Sequence, residues 1–297
     1  MSGKKTNFKA GFVSILGKPN VGKSTLMNAL VGERLSIMTS KAQTTRHRIF
    51  GILSRSDSQI IFSDTPGVID PKYKLQESMM RFVKASLEDA DLILYMVELG
   101  EKFDKNENLK HILKNKAPKF LVINKTDQAK GSQIIDKVNY WQEVFPLAQI
   151  FPISALEKVN IDKLYNAIRL ALPNHPPYFP EDHITDKSER FITAEIIREK
   201  IFLNYKKEVP YSCEVEIEEF KEAENILRIR AVIYVERNSQ KGIIIGKNGA
   251  SLKKVGIESR LDIEKFFEKK VHLETYVKVE KDWRKKDRSL KKFGYLQ

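Results

Sequence analysis

Residues 17–24 read Gly-Lys-Pro-Asn-Val-Gly-Lys-Ser, after the apolar stretch Phe12–Leu16 and before the amphipathic stretch Ser24–Val31. The octet fits G-x-x-x-x-G-K-[ST] in both required contexts, a strand before and a helix after, and nothing else in the chain constrains the fold as strongly. Glycines let backbone N–H groups turn inward around phosphate oxygens, and the helix N-terminus adds partial positive charge. The phosphate-binding candidates are Gly17, Asn20, Val21, Gly22, Lys23, Ser24 and Thr25. Lys23 has the reach for the outer phosphates, and the Ser24 hydroxyl suits Mg²⁺. Further expected strands are Arg48–Leu53, Gln59–Phe62, Leu92–Val97, Phe120–Ile123 and Ile150–Ile153, with helical patterns between most of them, including Leu164–Leu172. Short, near-continuous apolar strands alternating with helices predict a mostly parallel sheet covered on both faces.

The pattern changes at Pro173-Asn174-His175-Pro176-Pro177-Tyr178-Phe179-Pro180. Four prolines in eight residues cannot continue a helix and favour an extended, semi-rigid connection. The expected division is residues 1–173, a proline-rich linker at 174–183, and residues 184–297. The last part reads as helix (Lys187–Tyr205), two alternating strands (Glu214–Phe220 and Ile226–Val235), helix, glycine-flanked turn, helix (Ser251–Phe267) and strand (Val271–Val279). In that final strand Val271, Leu273, Thr275, Val277 and Val279 share one face.

Charge separates the two parts. Residues 225–297 carry 19 Lys and Arg against 9 Asp and Glu, whereas residues 1–224 carry 33 against 30. The overall charge of +13 therefore sits almost wholly in the last quarter. Such a field concentrates a polyanion, either nucleic acid or an anionic membrane surface. The lone Cys213 makes no internal disulfide, and no apolar run approaches the ~20 residues of a membrane span. The N-terminal run ends in the glycine loop rather than at a small-residue cleavage site, so it reads as a core strand. A cytoplasmic location is expected.

Three more segments fall where strands should end. Asp64-Thr65-Pro66-Gly67 offers a carboxylate for a metal-bound water and a glycine N–H for a terminal phosphate. Asn124-Lys125-Thr126-Asp127 offers Asp127 to the ring N–H and exocyclic amine that guanine has and adenine lacks. Ser154-Ala155-Leu156 offers the Ala155 N–H to the guanine carbonyl. Ligands of open α/β sheets bind at the strands' carboxyl ends. In this order the segments resemble the G1, G3, G4 and G5 boxes of translation-factor-related GTPases, and Gln43-Thr44-Thr45-Arg46-His47 is similar to the G2 box of the Era family. That resemblance implies a Thr in the Mg²⁺ shell of the GTP state, Thr45 in preference to Thr44, beside Ser24 and, through water, Asp64. Val68 stands where Ras-like enzymes carry a water-positioning Gln, so slow intrinsic hydrolysis is expected. Asn20 resembles the phosphate-loop Asn of potassium-activated relatives. It either helps to hold K⁺ or simply shapes the loop.

Gly242-Ile243-Ile244-Ile245-Gly246-Lys247-Asn248-Gly249 lies between two helices. Its Gly-Lys-Asn-Gly turn looks like the GXXG loop of a KH domain, which clamps four backbone nucleotides of a single strand. Lys247 supplies charge, with Lys253 close by in sequence, and the three isoleucines are expected to line part of an apolar groove. The element order resembles the type II KH arrangement. The expected fold class is thus an α/β P-loop GTPase domain with a mostly parallel sheet, followed by an α+β type II KH domain.

Together the motifs cover nearly the whole chain and resemble the Era family of GTPases. The resemblance implies GTP hydrolysis to GDP and phosphate, binding near the 3′ end of small-subunit (16S) ribosomal RNA, a role in small ribosomal subunit assembly and maturation, and peripheral association with the inner membrane surface, with no DNA partner. Ala42 replaces a proline of the family's G2 loop, which bears on loop stiffness. A GTPase of tRNA modification or signalling, an RNA-binding adaptor with a structural nucleotide site, and a membrane-tethered switch are the competing readings. The basic tail interleaves Trp283, Leu290 and Phe293 near one helical face, read as packing onto the domain ahead of base stacking. His47, His111, His175, His183 and His272 show no metal spacing, and the acidic run Glu214–Glu224 reads as the solvated face of a strand.

Overall fold

Six strands build the first sheet: β1 (Lys9–Gly17), β2 (Ile49–Arg55), β3 (Ser58–Asp64), β4 (Leu92–Glu98), β5 (Lys119–Asn124) and β6 (Gln149–Pro152), ordered β2-β3-β1-β4-β5-β6. The computed structural model describes residues 8–39, 41–103, 114–146 and 148–296. His111 and the first seven residues lie outside them. All pairings in this sheet are parallel except β2 with β3. That exception has a local cause, because only Ser56 and Asp57 separate the two strands and so short a turn can join only antiparallel neighbours. Ala10, Val13, Ile15 and Leu16 of β1, and Ile60, Ile61 and Phe62 of β3, are buried, as expected of strands covered on both faces.

Helices α1 (Lys23–Val31), α2 (Lys74–Glu88), α3 (Gly131–Val144) and α4 (Ile161–Ala171) accompany this sheet. On α4 the buried residues Ile161, Leu164, Tyr165 and Ile168 recur at helical spacing, which is the apolar stripe facing the core. The proline-rich stretch does not hang free. Lys9 bridges to Asn174, Gln59 accepts hydrogen bonds from the N–H groups of Tyr178 and Phe179, and Tyr178 stands edge-on to Phe12. Further along, Ile52 donates to the Ile184 carbonyl.

The later elements are α5 (Glu189–Asn204), α6 (Val209–Ser212), β7 (Glu214–Ala223), β8 (Ile226–Val235), α7 (Asn238–Ile245), α8 (Ala250–Phe267), β9 (Lys270–Val279) and α9 (Asp287–Lys292). The sheet order is β7-β8-β9, with β7 antiparallel and β9 parallel to β8. One core gathers Ile197 and Ile201 of α5, Ile229 and Ile233 of β8, Ile244 of α7, Val255 and Ile263 of α8 and Val271 and Val277 of β9. Val279 keeps the register of that face but is exposed at the end of its strand. The tail packs: Trp283, Leu290 and Tyr295 are buried, and the Trp283 indole donates to the Ser212 carbonyl at 2.8 Å. Glu214 also departs from expectation. It is buried and accepts a 2.5 Å hydrogen bond from the Tyr295 hydroxyl, because a buried carboxylate needs a donor and the tail provides one.

By contacts the chain forms two compact units. The first takes in residues up to Ser36, Thr45–Asp70 and Met79–Asp186, and the second takes in Ile37–Thr44, Pro71–Ser78 and everything from Lys187. Two loops of the sequence's first part thus belong to the body of the second.

Candidate functional site

The phosphate-binding loop owes its shape to tight packing at its glycines. Gly22 has φ +102, and a Cβ there would lie 2.2 Å from the Asn124 amide nitrogen, so no other residue fits. Past the loop, Lys23 is buried, and its ammonium donates to the carbonyls of Gly17 and Lys18 at 3.2 and 3.0 Å. Burial pushes its pKa down from 10.5 to about 8, opposed by the charges of Asp64 and Glu101. A buried cation satisfied only by two carbonyls is poised for anionic oxygens. Asn28 of α1 braces the exit of the helix, accepting from the N–H groups of Leu35 and Ser36 and donating to the Ser36 carbonyl.

Three oxygens converge beside it. The Ser24 hydroxyl donates to Asp64 Oδ2 at 2.7 Å, and the Thr45 hydroxyl lies 2.9 Å from Ser24 Oγ and 3.5 Å from Asp64 Oδ2. Asp64 is completely buried and its Oδ1 has no hydrogen-bond partner. Burial pushes this carboxyl's pKa up, against the Ser24 hydrogen bond and the Lys23 charge. A fully buried carboxylate with one orphaned oxygen, facing two hydroxyls, fits a hard divalent cation. Mg²⁺ favours such an all-oxygen site and completes its shell with water and phosphate. Among the described residues no cluster of three His, Cys, Asp or Glu offers a metal cage, so ligands from the nucleotide are needed to complete this one. Bound there, Mg²⁺ would supply Lewis-acid polarisation of the terminal phosphate. Thr44, the alternative, is gripped instead through its carbonyl, by Arg198 at 2.6 Å.

Thr65, Pro66 and Gly67 follow Asp64 in a buried run, with the Thr65 hydroxyl on the Ile15 carbonyl at 3.0 Å. Val68 packs against the cluster of Leu16, Val83, Leu87 and Ile93, so its side chain serves the core. Arg46 is buried, and His47 stacks obliquely on Phe82 at 5.6 Å. Gln43 has φ +57 and accepts from Gln76 at 3.2 Å. Asn20, exposed with φ +66, forms the crest of the phosphate loop.

At the guanine end the expected residues are tied to one another. Asn124 acts as a brace: its amide donates to the Val21 carbonyl at 2.8 Å, and its Oδ1 accepts from the Ala155 N–H at 3.0 Å. It thereby ties the phosphate loop to the Ser154–Leu156 loop. The Ala155 N–H expected on the guanine carbonyl is engaged here, as a buried donor must be. Asp127 is exposed, with Oδ1 held at 2.5 Å by the Ser154 hydroxyl, which orients the carboxylate. Lys125 sits in the left-handed region at φ +66 and pairs with Glu98 at 2.7 Å, while Thr126 donates its N–H to the Ile153 carbonyl. Leu156 is exposed. The brace by Asn124, the bracing by Asn28 and the grip of Arg198 went unread in the sequence. Only Asn28 left a signal there, a polar residue inside the apolar run Leu26-Met27-Asn28-Ala29-Leu30.

In the second unit α7 ends at Gly246, whose N–H closes on the Gly242 carbonyl at 2.9 Å. Gly246 has φ +72, and a Cβ there would meet Ser251 Oγ at 2.2 Å. Asn248 adopts φ +52 and Gly249 φ +78, so the turn presents Lys247 and Asn248 outward, both exposed. Lys253 is exposed on α8. The three isoleucines diverge instead of lining one groove: Ile244 enters the core, Ile245 is half-buried against it and Ile243 is exposed. A helix turns its successive side chains about 100° apart, so three in a row cannot share one face.

Residues 12–125 match the family described as 50S ribosome-binding GTPase, and residues 208–284 match the KH domain. GTPase Era of Staphylococcus haemolyticus (strain JCSC1435) is 45% identical over 295 residues, covering 98% of this chain and 99% of that protein. A crystal structure of Era in complex with MgGDPNP and nucleotides 1506–1542 of 16S ribosomal RNA is similar with a TM-score of 0.94 and 41% identity, over 98% of this chain and 100% of that one. A variant of Aquifex aeolicus Era bound to GDP and aluminium tetrafluoride is similar at TM-score 0.94 and 40% identity, with the same coverage.

Proposed function

Because the chain belongs to the Era family of GTP-hydrolysing proteins, we propose that it is a GTP-timed clamp on small-subunit ribosomal RNA that acts in small ribosomal subunit assembly. The supporting observation is one chain carrying both the cluster of Ser24, Thr45 and Asp64 with a Ser154-oriented Asp127 and an outward Gly-Lys-Asn-Gly turn. GTP with Mg²⁺ holds the loops around Thr45 and Asp64, hydrolysis releases them, and the change alters how the KH unit presents its turn. Nucleotide can move that equilibrium only through contacts that differ between the two states.

The test is binding of a synthetic RNA of nucleotides 1506–1542 of 16S ribosomal RNA, the segment held in the related complex. Lys247→Asp/Asn248→Asp places two carboxylates against the RNA backbone without touching either glycine. We expect RNA binding to be lost and GTP affinity to remain. Wild-type RNA affinity in this variant would reject the turn as the RNA site. Crosslinking and sequencing of the RNA bound in cells separates ribosomal from transfer RNA targets.

K⁺ at the Asn20 crest is part of the same reading, and equal turnover in sodium and potassium buffers would remove it. So is a cytoplasmic protein with some peripheral membrane association. The tail buries Trp283 and Tyr295 and half-buries Phe293, so attraction to lipid would rest mainly on charge. Flotation with anionic vesicles after ribonuclease treatment should therefore collapse as salt is raised.

A further inference from the structure

Met38, Lys41 and Thr44 are each fastened to helix α5 or its cap. The Met38 N–H donates to Glu199 at 3.0 Å, the Lys41 ammonium donates to the carbonyls of Phe202 and Tyr205, and the Thr44 carbonyl accepts from Arg198 Nη2 at 2.6 Å. Residues 198, 199, 202 and 205 fall along one stripe of a helix and its cap, so the three fastenings form one seam on α5. The last point differs from the others. Arg198 is only 1% exposed, and Glu195 takes its Nε at 2.7 Å and its Nη2 at 2.6 Å. Burial works against the charge, but Glu195, Glu214 and Tyr295 hold the guanidinium above the ordinary arginine range. Its Nη1 is buried with no hydrogen-bond partner. A buried ion pair that leaves a donor unsatisfied is a poor device for stability.

We propose that Arg198 is a positioning residue for the metal site: by gripping the Thr44 carbonyl it sets the orientation of the next residue, whose hydroxyl stands beside Ser24 and Asp64. The division between the two compact units falls at the Thr44–Thr45 peptide. A guanidinium fixed by Glu195 therefore holds the carbonyl of the residue that precedes Thr45. Lysine cannot replace it, since a single ammonium lacks the planar fork that serves carboxylate and carbonyl together. The seam gives the proposed RNA clamp, on which this inference rests, a residue through which nucleotide and RNA feel one another. Any such coupling is reciprocal: what GTP does for RNA affinity, RNA does for GTP affinity.

The experiment measures GTP and GDP affinities in Mg²⁺, with and without the 1506–1542 RNA, for three full-length variants. Arg198→Lys removes the fork. Arg198→Met/Glu195→Leu removes the buried pair together, so that Glu195 is not left as an unpaired charge if the single variant fails to fold, and Glu214 keeps its hydrogen bond from Tyr295. Lys41→Met loosens the seam at a half-buried position. We expect GDP affinity to stay within about twofold of wild type and the GTP-to-GDP affinity ratio to fall about tenfold in the Arg198 variants and about threefold in Lys41→Met. The Mg²⁺ concentration for half-maximal GTP binding should rise with it, and RNA should no longer shift the ratio. A role confined to stability would lower the melting temperature and leave ratio and Mg²⁺ requirement untouched, and that result in the folded variants would overturn the inference. If RNA shifts the ratio in wild type and variants alike, the inference falls alone. If RNA shifts nothing in wild type, the clamp falls and takes the inference with it.

Discussion

Asp127 illustrates how one exposed side chain can decide base identity. Ser154 holds one of its oxygens, so the carboxylate is oriented before any base arrives. Asp127→Asn replaces an acceptor by a donor where guanine presents two N–H groups. GTP affinity should drop by about a hundredfold, near 3 kcal/mol, with xanthosine triphosphate gaining in proportion. Calorimetry with both nucleotides checks it, and an unchanged preference would break the guanine assignment. Lys23 carries a pH signature. Its pKa of about 8 lies below the ordinary 10.5, so the nucleotide-free protein disfavours the charged form and gains stability as pH rises between those values. Phosphate oxygens restore the charge, so affinity for GDP is full below pH 8 and should be about tenfold weaker at pH 9 than at pH 7. A flat profile across that range would contradict the burial argument. The positions of Lys23, Ser24, Asp64 and Asp127 at or just after strand ends and at the helix start are legible in the sequence. Roles played through a brace are not. Asn124, a guanine contact by its spacing, also ties two loops together, which spacing does not show, and Arg198 is one more charge in a helical pattern until Thr44 is seen against it.

At the level of elements, periodicity was a sound guide wherever one face meets a core. Strand β8 occupies Ile226–Val235, the range that its alternation indicates, and α4 begins three residues before its expected start. Signals failed where a neighbour overrides local pattern. The proline-rich stretch forms no helix, as its composition requires, yet Gln59 and Phe12 give it partners that no local rule reveals. Strand β2 runs on to Arg55 because a two-residue turn carries its ladder into β3. The turn after α7 gives a prediction that belongs to this scale. Gly246→Asp would place a Cβ on Ser251 at a φ of +72, so it should cost about 1–3 kcal/mol of stability as well as RNA binding. Lys247→Asp/Asn248→Asp should cost almost none, since both side chains face water and Asp tolerates the left-handed region. Urea denaturation of the two variants side by side distinguishes a broken turn from a repelled ligand. Equal losses of stability would refute the distinction.

Over the whole molecule the charge asymmetry is the property that sequence states outright, with 19 basic against 9 acidic residues after position 224. Much of it stays available, since Lys247, Lys253, Lys281, Lys285 and Lys286 are exposed. RNA affinity should then fall steeply with salt, the logarithm of the association constant dropping by about 0.7 per phosphate neutralised for each decade of salt. A slope near zero in filter binding would mean that the basic surface takes no part. What sequence order concealed is the interleaving of the two bodies. Motifs appear along the chain as a nucleotide half followed by an RNA half, but Ile37–Thr44 and Pro71–Ser78 belong by contacts with the second.

That interleaving bears on how the protein can be taken apart. Passing along the chain, one crosses between the bodies five times, so no single scission yields two intact pieces. A fragment starting at Lys187 would present Arg198, Glu199 and the end of α5 to solvent, stripped of the loop that covers them. Excised halves would each carry a wound, and genes that exchange such halves between relatives would have to exchange two short inserts with them.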